Sequence, residues 1–141
     1  MTFYLDTSVL VAALTTEAQS GQIQAWLTEQ EPGGLAISEW VATEFSAALS
    51  VKLRSGRIDA TDRADALAVF ARLREEDFTV LPVSELQFRI AARFADQHAH
   101  GLRAGDALHL AICAEHGATL CTLDRRQGEA GAALGVKTTL L

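Results

Sequence analysis

Short apolar runs alternate along the chain with longer stretches whose apolar residues recur every three or four positions. The first run, Thr2–Leu5 (TFYL), is strand-like. A helix is expected over Ser8–Leu14, and a second over Glu17–Gln30, where Ile23, Trp26 and Leu27 fall at helical spacing. Pro32, Gly33 and Gly34 end it. Leu35–Ile37 is a short strand, and Ser38 is placed to cap a helix running from Trp40 to Arg54. After Gly56 the pattern gives a helix over Thr61–Glu75, then a strand at Phe78–Leu81 closed by Pro82. Ser84 to Gln87 has the S-x-x-Q form of a capping box and opens a helix toward His100, with Gly101 as its stop. Ala104–His116 is apolar nearly all round, as a helix covered on several sides should be. Gly117 ends it, and a strand at Ala118–Leu123, a helix at Arg125–Leu134 and a strand at Val136–Leu140 complete the series.

Strands that alternate with helices imply a mainly parallel sheet, here of about five strands, with helices on both faces in a three-layer α/β/α sandwich. No repeat, low-complexity tract or linker interrupts the pattern, so residues 1–141 read as a single domain. In such sheets function gathers at the carboxyl ends of the strands.

Composition narrows the possibilities. With 49% hydrophobic and 21% charged residues the chain is an ordinary globular one. No apolar run approaches the roughly 18 residues of a membrane span, and the start MTFYLD lacks the basic segment of a signal or transit peptide. A cytoplasmic location is therefore expected. Cys113 and Cys121 both lie in apolar runs and read as small buried hydrophobes rather than a disulfide. The net charge of −6 argues against broad electrostatic binding of nucleic acid. It leaves room for nuclease chemistry, since two bound divalent cations would bring −6 to −2.

Four acids stand where chemistry would need them. Asp6 directly follows the first strand and Asp124 the strand ATLCTL. If those strands are parallel neighbours, both carboxylates leave the same edge, although an Asp at such a junction also serves as an N-cap. Glu44 borders the apolar stripe Val41–Phe45–Ala48 of its helix, where a carboxylate is costly unless it is paired or bound to metal. Asp106 opens the run Ala107–Cys113, whose one polar residue is His109; helix-dipole stabilisation in a first turn explains part of its placement. Glu39, also in a first turn, reads as structural. Carboxylates gathered at short range cannot all ionise without a cation. All-oxygen ligation, with no Cys and no compelling His ligand, suits Mg²⁺ or Mn²⁺ rather than zinc, and suits phosphodiester hydrolysis.

DTSVL at Asp6–Leu10, ATEF around Glu44, LRAGDALHLA at Leu102–Ala111 and TLD at Thr122–Asp124 resemble the PIN-domain family, particularly the VapC-type toxins of bacterial toxin–antitoxin pairs. The resemblance spans essentially the whole chain, in order and at family-like spacing, while residues from about Ser55 to Val83 carry no motif. It implies an Mg²⁺- or Mn²⁺-dependent endoribonuclease that forms a homodimer and is neutralised by a cognate antitoxin. Carried over by position, Asp6 and Asp106 would be the principal metal ligands. Glu44 and Asp124 would complete the shell, hold a second metal or orient the attacking water. Ser8 would orient a ligand or a phosphate, and Arg103 would neutralise a carboxylate or touch the RNA backbone.

Other features weigh less. His98 and His100 stand at a helix end, where imidazolium suits the dipole, without the further ligands zinc would require. His109, three residues after Asp106, either contacts the site or is a satisfied core histidine, the second being the better reading. Lys52, Arg54 and Arg57, with Arg125 and Arg126, would guide a phosphate backbone or simply pair with helix ends and water. The outward faces of the helices at Thr61–Glu75 and Glu85–His98 are where partner contacts are expected. A dehalogenase-type phosphatase would want an acid where Ser8 stands, a receiver domain would want adjacent early acids, and no glycine-rich phosphate loop occurs. The rival of a different class is a PIN fold that binds protein partners with weak or no catalysis.

Overall fold

The computed structural model describes residues 1–141. Its elements run β1 (Phe3–Leu5), α1 (Thr7–Leu14), α2 (Ser20–Thr28), β2 (Leu35–Ser38), α3 (Glu39–Arg54), α4 (Ala60–Glu76), β3 (Thr79–Leu81), α5 (Glu85–Asp96), α6 (Ala104–His116), β4 (Thr119–Thr122), α7 (Arg125–Ala133) and β5 (Thr138–Leu140). All five strands pair in parallel, in the order β3-β2-β1-β4-β5. The chain winds outward from β1 through β2 to β3, then crosses back to β4 and β5. With right-handed crossovers, that reversal lays α1–α4 on one face of the sheet and α5–α7 on the other.

Alternation along β1 shows both faces at once. Phe3 meets Trp26 of α2 edge-on, with ring centroids 5.5 Å apart, whereas Tyr4 turns to the opposite face against His109 of α6 at 5.6 Å. The expected buried helix is the one observed: α6 has the predicted limits, and Ala107 through Cys113 are all buried. Phe45 of α3, fully buried, stacks on Phe70 of α4. Glycine is required where α7 lies on the sheet, since a Cβ on Gly131 would sit 2.5 Å from Thr138 and 2.7 Å from Leu110. Both cysteines are free and buried, and burial pushes the Cys121 thiol up to about 12. No helix is long and apolar enough to cross a membrane.

Three local expectations change. The helix toward His100 ends at Asp96, and His98–His100 forms a separate 3₁₀ turn stopped by Gly101 in the left-handed region (φ 62°). The second helix starts at Ser20 rather than Glu17, because the Ser20 hydroxyl donates back to the Ala12 and Thr15 carbonyls and ties the preceding turn to α1. Ser38 does occupy the N-cap position of α3, but its side chain makes no cap bond and instead meets the Tyr4 hydroxyl at 2.7 Å.

Candidate active site

The strand order reverses at β1, between β2 on one side and β4 on the other, so the crevice beyond the carboxyl ends of β1 and β4 is the topological switch point of the sheet. Asp6 is the first residue past β1 and is 3% exposed. It caps α1, its carboxylate accepting from the Val9 N–H at 3.3 Å and from the Ser8 hydroxyl. Ser8 Oγ in turn accepts from the Leu123 N–H at 3.1 Å, which fastens the end of β1 to the end of β4. Asp124 follows at once, capping α7 by accepting from the N–H groups of Arg126 (2.9 Å) and Gln127 (3.3 Å). Both aspartates are therefore N-caps, and both stand at the carboxyl ends of neighbouring strands.

Glu44 reaches this crevice from the second turn of α3. Its Oε1 accepts from the Thr7 hydroxyl at 2.8 Å and is bonded to His109 Nε2. Thr7 stands next to Asp6, so the bond joins α3 to the start of α1. Asp106, in the first turn of α6, feels the charges of Asp124 and Glu44 and accepts from the Arg103 N–H at 3.4 Å. The close approach of α6 to Glu44 depends on Gly105, where a Cβ would come within 2.8 Å of Glu44 Oε2 and 3.4 Å of the Trp40 ring.

The electrostatics follow from this crowding. Burial raises the Asp6 pKa, an effect that the Ser8 and Thr122 hydroxyls and His109 only partly offset. Asp106 is also raised, by burial first and then by the charges of Asp124 and Glu44, against the Arg103 N–H and His109. Burial would raise Glu44 too, but the bond and charge of His109 and the Thr7 hydroxyl outweigh it and hold Glu44 below the ordinary carboxylate range. None of the four acids is paired with a lysine or arginine.

The supporting residues divide. Ser8 holds Asp6 directly. Arg103 does not neutralise an acid: its guanidinium is in no ion pair, and only its backbone N–H touches Asp106. Lys52 cannot guide a phosphate backbone, because it is buried and paired with Glu17 at 2.7 Å. Arg125 and Arg126, next to Asp124, are exposed. His109 is both a satisfied core residue, 2% exposed, and a contact of the site through Glu44.

A group of carboxylates at this edge of a parallel sheet, none paired with a lysine or arginine, is an arrangement that metal-dependent hydrolases use. A family model for the PIN domain matches residues 3–133, and the chain belongs to the PIN-domain family. Members of that family are generally nucleases that use divalent metal ions. Solved structures agree on the fold. Mycobacterium tuberculosis VapC20, described as a sarcin-ricin loop cleaving toxin, is 19% identical, with 92% of this chain and 95% of that one covered at a TM-score of 0.74. FitAcB from Neisseria gonorrhoeae is 18% identical over 96% and 95% of the two chains, with a TM-score of 0.68. VapBC2 from Rickettsia felis, solved with a DNA fragment from its promoter, is 15% identical over 100% and 99%, also at 0.68. No curated protein sequence matches the chain significantly.

No three Asp, Glu, His or Cys side chains already stand in a geometry that would hold an ion. The hydrogen bonds give the reason, since Asp6, Glu44 and Asp124 each spend an oxygen on a neighbouring hydroxyl, imidazole or helix N-terminus. The donor set nevertheless fits a hard divalent cation: four carboxylates, no sulfur, and no lysine or arginine paired with any of them.

Proposed function

We propose that the chain is an endoribonuclease that hydrolyses RNA phosphodiesters with Mg²⁺ or Mn²⁺ held by Asp6, Glu44, Asp106 and Asp124, and that it is the toxin of a type II toxin–antitoxin pair in the cytoplasm. The observation carrying this reading is that four acids from four separate elements meet at the switch point of the sheet without a lysine or arginine partner. When bound, the metal would supply positive charge against the phosphate and acidify an attacking water. Asp6 and Asp106, both held at raised pKa by burial, are the groups with most to gain from that charge and would be its principal ligands. Glu44 and Asp124 would complete the shell or orient the water. Ser8 keeps the Asp6 carboxylate turned to its place. Exposed Arg125 and Arg126 are positioned to meet phosphates at the rim.

Partner surfaces belong to the same reading. On α5, Leu86 and Phe88 are exposed, and Phe88 borders an apolar groove of about 260 Å³ with Trp40, Ala91 and Leu108. This supports a protein partner, either a second copy or the antitoxin.

The test is cleavage of structured RNA by purified, antitoxin-free protein with Mn²⁺, with Mg²⁺ and with EDTA, beside Asp106→Asn. Cleavage that needs metal and disappears in the variant is expected. Cleavage that survives both EDTA and the substitution would sink the reading. Folded protein that binds Mn²⁺ and cuts no RNA, including whole tRNA and ribosomal RNA pools, would favour the protein-binding alternative.

Gly105 offers a finer check. Gly105→Ala should fold, since alanine favours a helix over glycine by up to about 1 kcal/mol. Its methyl group would nevertheless displace Glu44 Oε2, and with it the bonds to Thr7 and His109. Thermal melting close to that of the parent, combined with weakened Mn²⁺ binding by calorimetry, is the expected pair of results. Unchanged Mn²⁺ affinity would show that Glu44 can move aside at no cost.

A further inference from the structure

A line of buried polar side chains leads from the sheet into the acidic pocket, and the four-acid pattern does not account for it. Ser38, at the end of β2, is completely buried, and its Oγ lies 2.7 Å from the Tyr4 hydroxyl. The Tyr4 hydroxyl, at the middle of β1, lies 2.8 Å from His109 Nδ1. His109 Nε2, at the other side of the ring, meets Glu44 Oε1. The helix α6 that carries His109 otherwise buries only apolar residues from Ala107 to Cys113. A Tyr, a His and a Ser placed together inside a core are costly unless each polar atom is satisfied, and here each is.

The imidazole is held at both nitrogens: Nε2 donates to the Glu44 carboxylate, and Nδ1 is bonded to the Tyr4 hydroxyl, which can serve as donor or acceptor. The Tyr4 hydroxyl is bonded in turn to Ser38 Oγ. The series ends on Glu44 Oε1, and Thr7 donates to the same oxygen. Two donors on Oε1 leave Oε2 as the oxygen with lone pairs to spare, lying against Gly105 in the first turn that carries Asp106.

We infer that His109, oriented by Tyr4, is a positioning residue of the acidic pocket, fixing the Glu44 carboxylate so that Oε2 is presented to a bound cation. The inference rests on the metal-site reading above and extends it from the acids to the residues behind one of them. An imidazole and a phenol that hold a ligand in one orientation reduce the rotamer freedom lost when the ion binds.

The test measures Mn²⁺ affinity by calorimetry and by the loss of the free-ion EPR signal, in protein whose fold is checked by circular dichroism and thermal melting. His109→Leu keeps bulk and removes the donor, and should weaken Mn²⁺ binding by about tenfold, the lower end for loss of a group that orients a metal ligand. His109→Gln returns a donor near the Nε2 position and should recover part of the affinity. Tyr4→Phe removes one hydroxyl that touches no acid, keeps the ring's packing, and should weaken binding by less than His109→Leu. It also keeps the question answerable if His109→Leu does not fold. In a Glu44→Gln background, Tyr4→Phe should add nothing further, because its effect passes through Glu44. Binding by the folded His109 and Tyr4 variants as tight as in the parent, or losses that add in full to that of Glu44→Gln, would overturn the inference while leaving the metal site standing. A parent protein that binds no Mn²⁺, or binds it equally well as Asp6→Asn and Asp106→Asn, would overturn the metal-site reading and this inference with it.

Discussion

Asp6→Asn is expected to remove metal-dependent RNA cleavage by about 10²–10³-fold, the scale for losing one electrostatic stabiliser of a hydrolytic transition state, and yet to raise the melting temperature of the metal-free protein by a few degrees. The two effects have one cause. Asp6 is almost fully buried, and burial raises its pKa in the folded state. A carboxyl whose folded pKa lies above its unfolded value favours folding while protonated. That contribution is complete below the unfolded pKa and is lost as the pH rises through the folded one. At neutral pH the ionised Asp6 is therefore a cost to the metal-free fold, and asparagine removes it. Asparagine also keeps the capping role, because its side-chain oxygen can accept from Val9 and Ser8 as the carboxylate does. Melting curves in EDTA should place the variant above the parent at pH 7, with the gap narrowing as the pH falls through the carboxylate range. Mn²⁺ should then raise the parent's midpoint and leave that of the variant nearly unchanged. A variant less stable than the parent in EDTA at pH 7 would contradict the account of Asp6 as strained until a cation arrives.

Phe45→Ala is expected to be the most damaging substitution for folding, at about 3–5 kcal/mol. Phe45 is completely buried and stacks on Phe70 with ring centroids 4.6 Å apart, so truncation opens a cavity between α3 and α4 and removes an aromatic pair. A domain of this size holds about 5–15 kcal/mol in all, which makes the loss a large part of the whole. The preceding residue in the chain behaves in the opposite way. Glu44→Gln changes one oxygen to an amide at the pocket, and should affect cleavage far more than the urea midpoint. Chemical denaturation of the two variants side by side separates the roles of neighbouring residues on one helix. A loss below about 1 kcal/mol for Phe45→Ala would mean that α3 repacks easily, contrary to its tight stacking.

Much of this arrangement is legible in the residues themselves. The order of strands and helices follows from apolar period and from breakers such as Pro82, Gly101 and Gly117. The acids could be found because a carboxylate beside a buried run, as with Asp106, contradicts local patterning and demands a reason. What escaped depends on which strands become neighbours. Ser38 reads as an N-cap because capping is a local rule, but β2 lies beside β1 and the Tyr4 hydroxyl claims it. Lys52 reads as a rim cation because lysine is seldom buried, until a glutamate 35 positions earlier is folded against it. The last turn toward His100 reads as helix because nothing before Gly101 forbids it, although the helix stops at Asp96. For Ser38 and Lys52 the miss is a long-range contact overriding a sound local preference.

The Ser8 link between the ends of β1 and β4 has a consequence for how the molecule comes into being. It joins residue 8 to the backbone at residue 123, and the last acid of the pocket is residue 124. During synthesis Asp6 emerges first, then Glu44, and Asp106 and Asp124 only after the whole segment carrying α4, β3 and α5 has been made. β1 has no β4 to pair with until then, so the pocket has no floor while the intervening segment is being made. A growing chain therefore carries Asp6 and Glu44 before the residues that complete the proposed pocket exist, and the pocket can be assembled only once β4 and the start of α7 have been made.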